Sequence, residues 1–281
     1  MLGLLLLASC LWLGHGEVVK SFEECSEFFY AGTTPNDALN PKNPALICQR
    51  FKNTYHFATL YDRDNRIPVY SAYRYEPSNV KKPPEWWLVE PQLIDKNLNL
   101  KDMEWDKVLR EKYGITLDKI KESQAVPDDY KDLTDLDRGH LCPSGHMNSK
   151  ESKMATFTLT NIVPQYSSLN NGKWRTYEHQ KMMKKTADCK STYVVTGAVP
   201  GSRHAPALGA PSWPPLNSTP TALYPPCAVG PRAGGSPAGV GSQQSTVEGD
   251  KCPVQHLCCF LLWCVSSCFA LLPLSGESSE E

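Results

Sequence analysis

The stretch "DRGHLCPSGH" (residues 137–146) sets two histidines, His140 and His146, six positions apart, the first directly behind Asp137-Arg138-Gly139. Such a run can be a catalytic loop, a metal clamp or a polar corner between strands, and a lone histidine is most often just a hydrogen-bonded side chain. A structural zinc built from His140, Cys142 and His146 fails, because no fourth ligand stands at finger-like spacing. The decision therefore falls to the flanks.

Downstream, "MATFTLTNI" (154–162) reads as a strand with Ala155, Phe157, Leu159 and Asn161 on one face, ended by Pro164. "LNNGKWRTYEHQKMMKKTADC" (169–189) then turns through Asn-Asn-Gly into a helix, with Trp174 and Tyr177 at i, i+3 packing inward and lysines outward. "STYVVTGAV" (191–199) is a buried strand. Upstream, "HFATLYDRDNRIPVYSAYRY" (56–75) is a hairpin turning at Asp62–Arg66, and residues 101–122 carry a loose helical period. Strand, histidine loop, strand, turn, helix, strand make an α+β domain.

Cutting a phosphodiester needs a group to deprotonate water, a cation to neutralise charge on the phosphate and the leaving oxygen, and positive side chains to hold the backbone. Magnesium prefers oxygen ligands and keeps several waters, so one amide oxygen can anchor it. A histidine on a loop, an asparagine entering a helix and a carboxylate farther along satisfy those needs. His140, Asn170 and Glu178 fit, and the last two stand a little over two helical turns apart.

These residues resemble the DNA/RNA non-specific endonucleases of the ββα-metal (His-Me finger) fold. "DRGH" matches that family's signature, and "TNIVPQYSSLNNGKWRTYE" (160–178) looks like its "NxxPQ…LNxxxWxxLE" segment; the resemblance covers roughly residues 20–200. It implies metal-dependent hydrolysis of DNA and RNA through backbone contacts. His140 would be the general base, its ring fixed by a backbone carbonyl. Asn170 would bind Mg2+ (or Mn2+), and Glu178 would hydrogen-bond the metal's waters. Asn161 would place substrate or water beside His140. Asp137 and Arg138 would brace the loop, Arg138 within the catalytic set, and Gly139 would permit a sharp turn aiming His140. Lys173, Arg175 and Lys181, with Arg74, are candidate phosphate contacts, although a Lys-rich helix face is more often simply solvated. Likewise, His146 reads first as a solvated loop histidine.

The sequence departs from the family pattern in places. Gly145 stands where alanine is usual, and Met182 where the helix usually carries an arginine. The upstream clamping arginine has no clear match, leaving Lys81, Lys82 and Arg74 as candidates. After "TGAVPG", where the family continues with further sheet and helix, a Pro/Gly-rich stretch begins. The rival expectation is therefore an incomplete, catalytically inactive nuclease-like chain that binds nucleic acid or protein, or is tethered to a membrane.

Over 281 residues the net charge is −1, so any nucleic-acid field must be local rather than global. Residues 1–16, apolar and uncharged through "MLGLLLLASCLWLG", read as a secretory leader, which predicts an extracellular protein. The nuclease-like domain then spans 17–201, a Pro/Gly/Ser-rich disordered tail 202–252, and an apolar Cys-rich and acidic segment 253–281. Within that segment, 257–274 is long enough to be a candidate membrane span. Secretion permits disulfides: Cys25 with Cys48, and Cys142 with Cys189, form one of three pairings open to four cysteines.

Overall fold

The computed structural model describes residues 17–131, 133–198 and 221–223. Its centre is a six-stranded antiparallel sheet built from β1 (Val18–Val19), β2 (Pro44–Phe51), β3 (Thr54–Asp62), β4 (Ile67–Arg74), β9 (Tyr193–Gly197) and β10 (Thr221–Leu223), in the order β1-β2-β3-β4-β9-β10. Two small antiparallel pairs complete the strands: β5 (Leu88–Val89) with β6 (Glu104–Trp105), and β7 (Leu136–His140) with β8 (Ile162–Tyr166). With helices at Asp106–Tyr113, Leu117–Lys121 and Lys150–Ala155, this is an α+β domain.

The β3–β4 hairpin forms where its alternation places it, pairing Asp62 with Ile67. Asp62 ends β3 because its Oδ1 accepts the Asp64 and Asn65 amides at 3.0 and 3.1 Å, an Asx turn that closes the connection. Both faces of β3 are buried. Ala58 and Leu60 pack with Cys48, Tyr70 and Ala72 beneath Phe22 and Phe28, whose segment the Cys25–Cys48 disulfide ties to β2. On the other face Phe57 and Tyr61 flank a polar belt, in which Gln49 donates to Thr59 at 3.1 Å and Thr59 meets Ser71 at 3.1 Å.

Four expectations need correcting. Residues 154–162 are not a strand: a helix runs through Lys150–Ala155, capped by Ser149, then a single 3-10 turn Leu159–Asn161, and β8 begins only at Ile162. The alternating threonines that read as a β pattern are instead buried hydrogen-bonding groups; Thr156 donates to the Lys153 carbonyl at 2.8 Å, and Thr158 and Thr160 both donate to Glu90. Pro164 does not end the strand but sits within β8 opposite Arg138, which a two-stranded ribbon made only of edges tolerates.

The Asp-Arg-Gly-His run is strand β7 rather than a loop. Gly139 makes no sharp turn; a Cβ there would lie 2.8 Å from Gln165 Cβ and 2.6 Å from its Oε1, so glycine is required by close cross-strand packing. The third correction concerns the helix after β8. It starts at Ser167 and contains the Asn-Asn-Gly run, which forms a π-type segment Asn170–Trp174 rather than a preceding turn. As expected, Trp174 is buried and stacked on Tyr177, centroids 5.3 Å apart.

The fourth concerns cysteine. Cys142 is a buried free thiol among Phe57, Met154 and Met182, so no Cys142–Cys189 bridge forms. From the stretch read as tail, β10 nonetheless adds to the sheet by pairing Thr221 with Gly197. The leader 1–16, the rest of 202–252 and the apolar segment lie outside the described residues, among which no helix is long and apolar enough to cross a membrane.

Close packing at Gly139 is directly testable. Gly139→Ala should destabilise the protein by about 1–3 kcal/mol, the range for overpacking. A urea midpoint equal to that of the parent protein would show that the ribbon can spread to admit a methyl group.

Candidate active site

Alternation along β7 puts Arg138 and His140 on one face, and Asp137 and Gly139 on the other. The His140 ring lies between Trp87 and Phe157, with centroids 5.8 and 5.1 Å away. Those two rings hold the imidazole, the Arg138 backbone lies near enough to favour its charged form, and Nε2 is buried and has no partner. Burial, helped by the nearby Lys82 ammonium, lowers the His140 pKa to about 4, against smaller opposing effects from Glu85 and the Arg138 backbone. The imidazole is therefore neutral at physiological pH, with one nitrogen free to accept a proton.

Around it, Lys82 pairs with Glu85 at 2.6 Å and stands over Phe157, 5.3 Å from the ring centroid. The Arg138 guanidinium is sandwiched between Trp87 and Tyr130, at 5.1 and 5.5 Å, and reaches the Pro127 carbonyl only at 3.5 Å.

On the other face of β7, Asp137 gathers the start of the helix. Its carboxylate accepts Ser167 Oγ at 2.7 Å, Asn170 Nδ2 at 2.9 Å and Asn171 Nδ2 at 2.7 Å. A carboxylate can only accept, so the Asn170 amide must turn its NH2 toward Asp137. Among the described residues, its Oδ1 then receives no hydrogen bond. Asp137 thus fixes which edge of Asn170 faces outward, a role more specific than bracing a loop.

Glu178 sits two turns along the same helix. Burial pushes its carboxyl pKa up to about 8; the Trp174 side chain pulls slightly the other way, although its indole N–H falls short of hydrogen-bond geometry. No hydrogen bond among the described residues joins His140 directly to Asn170 or Glu178.

Asn161 is fully buried and saturated. Its Oδ1 accepts from Ser71 Oγ and the Cys142 amide, both at 2.9 Å, and its Nδ2 donates to the Cys142 and Thr156 carbonyls at 2.9 and 3.0 Å. No polar atom of this side chain is left for substrate. Lys173, Arg175 and Lys181 are exposed along the helix. Arg74 is engaged by Glu76 at 2.9 Å, so of the three upstream candidates Lys82 is the one whose charge acts on His140. Met182, in the position of the helical arginine, is wholly buried.

A family model described as DNA/RNA non-specific endonuclease matches residues 34–224. The chain belongs to the DNA/RNA non-specific endonuclease family. Within it, the chain is 39% identical over 190 residues to human Endonuclease domain-containing 1 protein, covering 66% of this chain and 36% of that protein. The mouse protein of the same name is 36% identical over 184 residues, covering 64% and 35%. The chain thus matches only about a third of the length of these two relatives. A chain of the EndoG/EndoGI complex aligns at 23% identity with a TM-score of 0.34, covering 53% of this chain and 54% of that one.

Two features of this endonuclease-family site escape a reading by motif. Trp87, from the "KKPPEWW" link, packs on the catalytic-candidate histidine, and no periodicity announces that contact. His146 is not a solvated loop histidine. It is buried, its Nε2 donating to the Glu178 carbonyl at 2.9 Å, which requires Nδ1 to accept from Tyr73 Oη at 3.0 Å. Burial lowers its pKa to about 4.

Both histidines bind protons more weakly when folded than their model value of 6.5. At these two side chains the unfolded state therefore takes up more protons between about pH 6.5 and 4, and their share of the stability falls as the pH drops through that window, while the buried Glu178 carboxyl, raised to about 8, contributes in the opposite direction. For His146 alone the loss is on the order of 3 kcal/mol. Urea unfolding of the parent and of His146→Gln at pH 7 and near pH 4 should show it as a difference between the two proteins. His146→Gln, which can still donate and accept, should lose less stability than the parent on acidification, and an identical pH dependence in the two proteins would remove His146 as an acid-sensitive group.

Proposed function

We infer that this chain hydrolyses phosphodiester bonds in DNA and RNA without strong sequence preference, using a ββα-metal core of β7, β8 and the helix that starts at Ser167. Family membership supports nucleic-acid hydrolysis in general. What carries the finer assignment is the pairing of a neutral His140 whose Nε2 lacks any partner with an Asn170 amide whose oxygen Asp137 leaves uncommitted.

His140 Nε2 is the general base that takes a proton from water, and packing between Trp87 and Phe157 keeps the ring oriented while it does so. The Asn170 oxygen suits a hard divalent cation, Mg2+ in preference and Mn2+ as a substitute. Glu178 fits the same centre, since a carboxyl raised to about 8 by burial would regain its charge beside a cation and could then hydrogen-bond the ion's waters. Among the described residues no cluster of three His, Cys, Asp or Glu side chains could hold a metal, so the donor set fits a largely hydrated ion better than a caged one. When bound, the cation neutralises charge on the phosphate and the leaving oxygen. Asn161 serves as a positioning residue, holding the Cys142 backbone two residues past the base. Lys82, Lys173, Arg175 and Lys181 supply phosphate contacts, so binding should weaken with salt. The apolar leader and the Cys25–Cys48 bridge support secretion.

Nicking of supercoiled plasmid in magnesium tests the assignment. His140→Ala should slow it by about a hundredfold to ten-thousandfold. Asn170→Ala should raise the magnesium needed for half-maximal rate, and chelation should abolish cleavage. Because the base acts when neutral, the rate should rise with pH through a limb below the ordinary histidine range and then level off. Nicking by His140→Ala at the parent rate would remove His140 as the base.

A further inference from the structure

Beside His140 lies an aromatic surface with no role in proton transfer. Trp86 is 54% exposed, unusual for so large a ring, and meets Trp105 edge-on at 5.3 Å, an arrangement that leaves ring face uncovered. Trp86, Trp87, Trp105, Val108 and Pro127 line an open cleft of about 290 Å³, with Asp106 and Lys107 at its wall. The cleft borders the candidate active site through Trp87, which lines the cleft and packs 5.8 Å from His140 and 5.1 Å from the Arg138 guanidinium. Trp86 directly precedes Trp87 in the chain, one Cα step of ~3.8 Å away.

We propose that this cleft is a stacking platform for an unpaired nucleobase next to the phosphate at His140, so that the favoured substrate is single-stranded or locally unpaired nucleic acid. The proposal rests on the nuclease reading for the position of the phosphate, but not for the platform itself. Bases inside a duplex already stack on one another and cannot lie on a protein ring without being unpaired. In a single strand every base offers a π face, so an aromatic platform adds affinity without reading sequence. That accords with a family named for its lack of specificity. Charge around the rings is largely balanced, Lys82 pairing with Glu85, Lys107 with Glu111 and Asp106 with Arg110, so the platform's affinity would come from stacking, with the Arg138 guanidinium over Trp87 as the nearest cation. A lipid or protein partner would explain the exposed Trp86 ring but not its place one residue from the side chain that packs on His140.

The test measures binding by the full chain carrying His140→Ala, which prevents cleavage, using a short thymidine oligonucleotide, an abasic strand of equal length and the matched duplex. The parent surface should bind the thymidine strand more tightly than the abasic one. Trp86→Ala should weaken thymidine-strand binding about tenfold and leave abasic and duplex binding unchanged, while Trp86→Phe should recover most of the loss. Equal binding of thymidine and abasic strands, or no effect of Trp86→Ala, would overturn the platform. So would Trp86-dependent sedimentation with phosphatidylcholine vesicles in place of strand binding. A base-dependent Trp86 effect in a protein that nicks equally well without His140 would keep the platform and remove only the proposed catalytic base.

Discussion

The fold hangs on the carboxamide of Asn161. It is buried beneath the sheet and makes all four of the hydrogen bonds its chemistry allows, joining Ser71 of β4, both backbone groups of Cys142 and the Thr156 carbonyl. No other side chain of that size offers two donors and two acceptors in one plane. The polar belt of Gln49, Thr59 and Ser71 exists on the sheet because it has this partner. Gln49 adds a second stitch, donating to Thr160 at 2.9 Å. Losing any one bond would strand a buried polar group, at a cost of about 1–3 kcal/mol. A change at Asn161 would therefore be felt at His140, because the clamped Cys142 backbone sets where β7 ends.

The two histidines of the opening stretch show how partners, more than burial, set a role. Both lie in apolar surroundings that make their charged forms unfavourable, and both fall to about 4. His146 spends its two nitrogens on Tyr73 and the Glu178 carbonyl, so it is a strut that anchors the helix to β4. His140 is held by Trp87 and Phe157 and keeps its Nε2 uncommitted. Only a histidine with an uncommitted nitrogen can move a proton, and spacing in the sequence carries no record of that difference.

Legibility followed the same line. The β3–β4 hairpin, the helix after Asn170, the buried Trp174 and β9 were readable, because each rests on local periodicity that burial reinforces. The strand expected at 154–162 was not there, because Thr156, Thr158 and Thr160 imitate a β pattern while serving as buried donors to Lys153 and Glu90. Gly139 was readable as required but for the wrong reason: its constraint is the Gln165 side chain across the ribbon, a tertiary contact, where glycine usually suggests a turn. Asp137 was legible as part of a signature, yet its grip on Ser167, Asn170 and Asn171 depends on a contact across thirty residues of chain.

The link from Tyr75 to Leu88 is where motif reading gives least and geometry most. It is fastened at both ends: Lys153 reaches the Ser78 and Ser144 carbonyls at 3.5 and 3.1 Å, Ser78 Oγ donates to Met147 at 3.2 Å, and Leu88 donates to the Phe157 carbonyl at 2.8 Å. Between those ties Pro83 and Pro84 restrict the backbone, which lowers the entropy lost in ordering it. A stiff link can hold Lys82 and Trp87 against His140 without regular secondary structure. The ammonium and the indole act on the histidine in the same direction, one by like charge and the other by excluding water, and both keep the imidazole neutral. The site's electrostatics are thus set largely by a segment that belongs to neither the ribbon nor the helix.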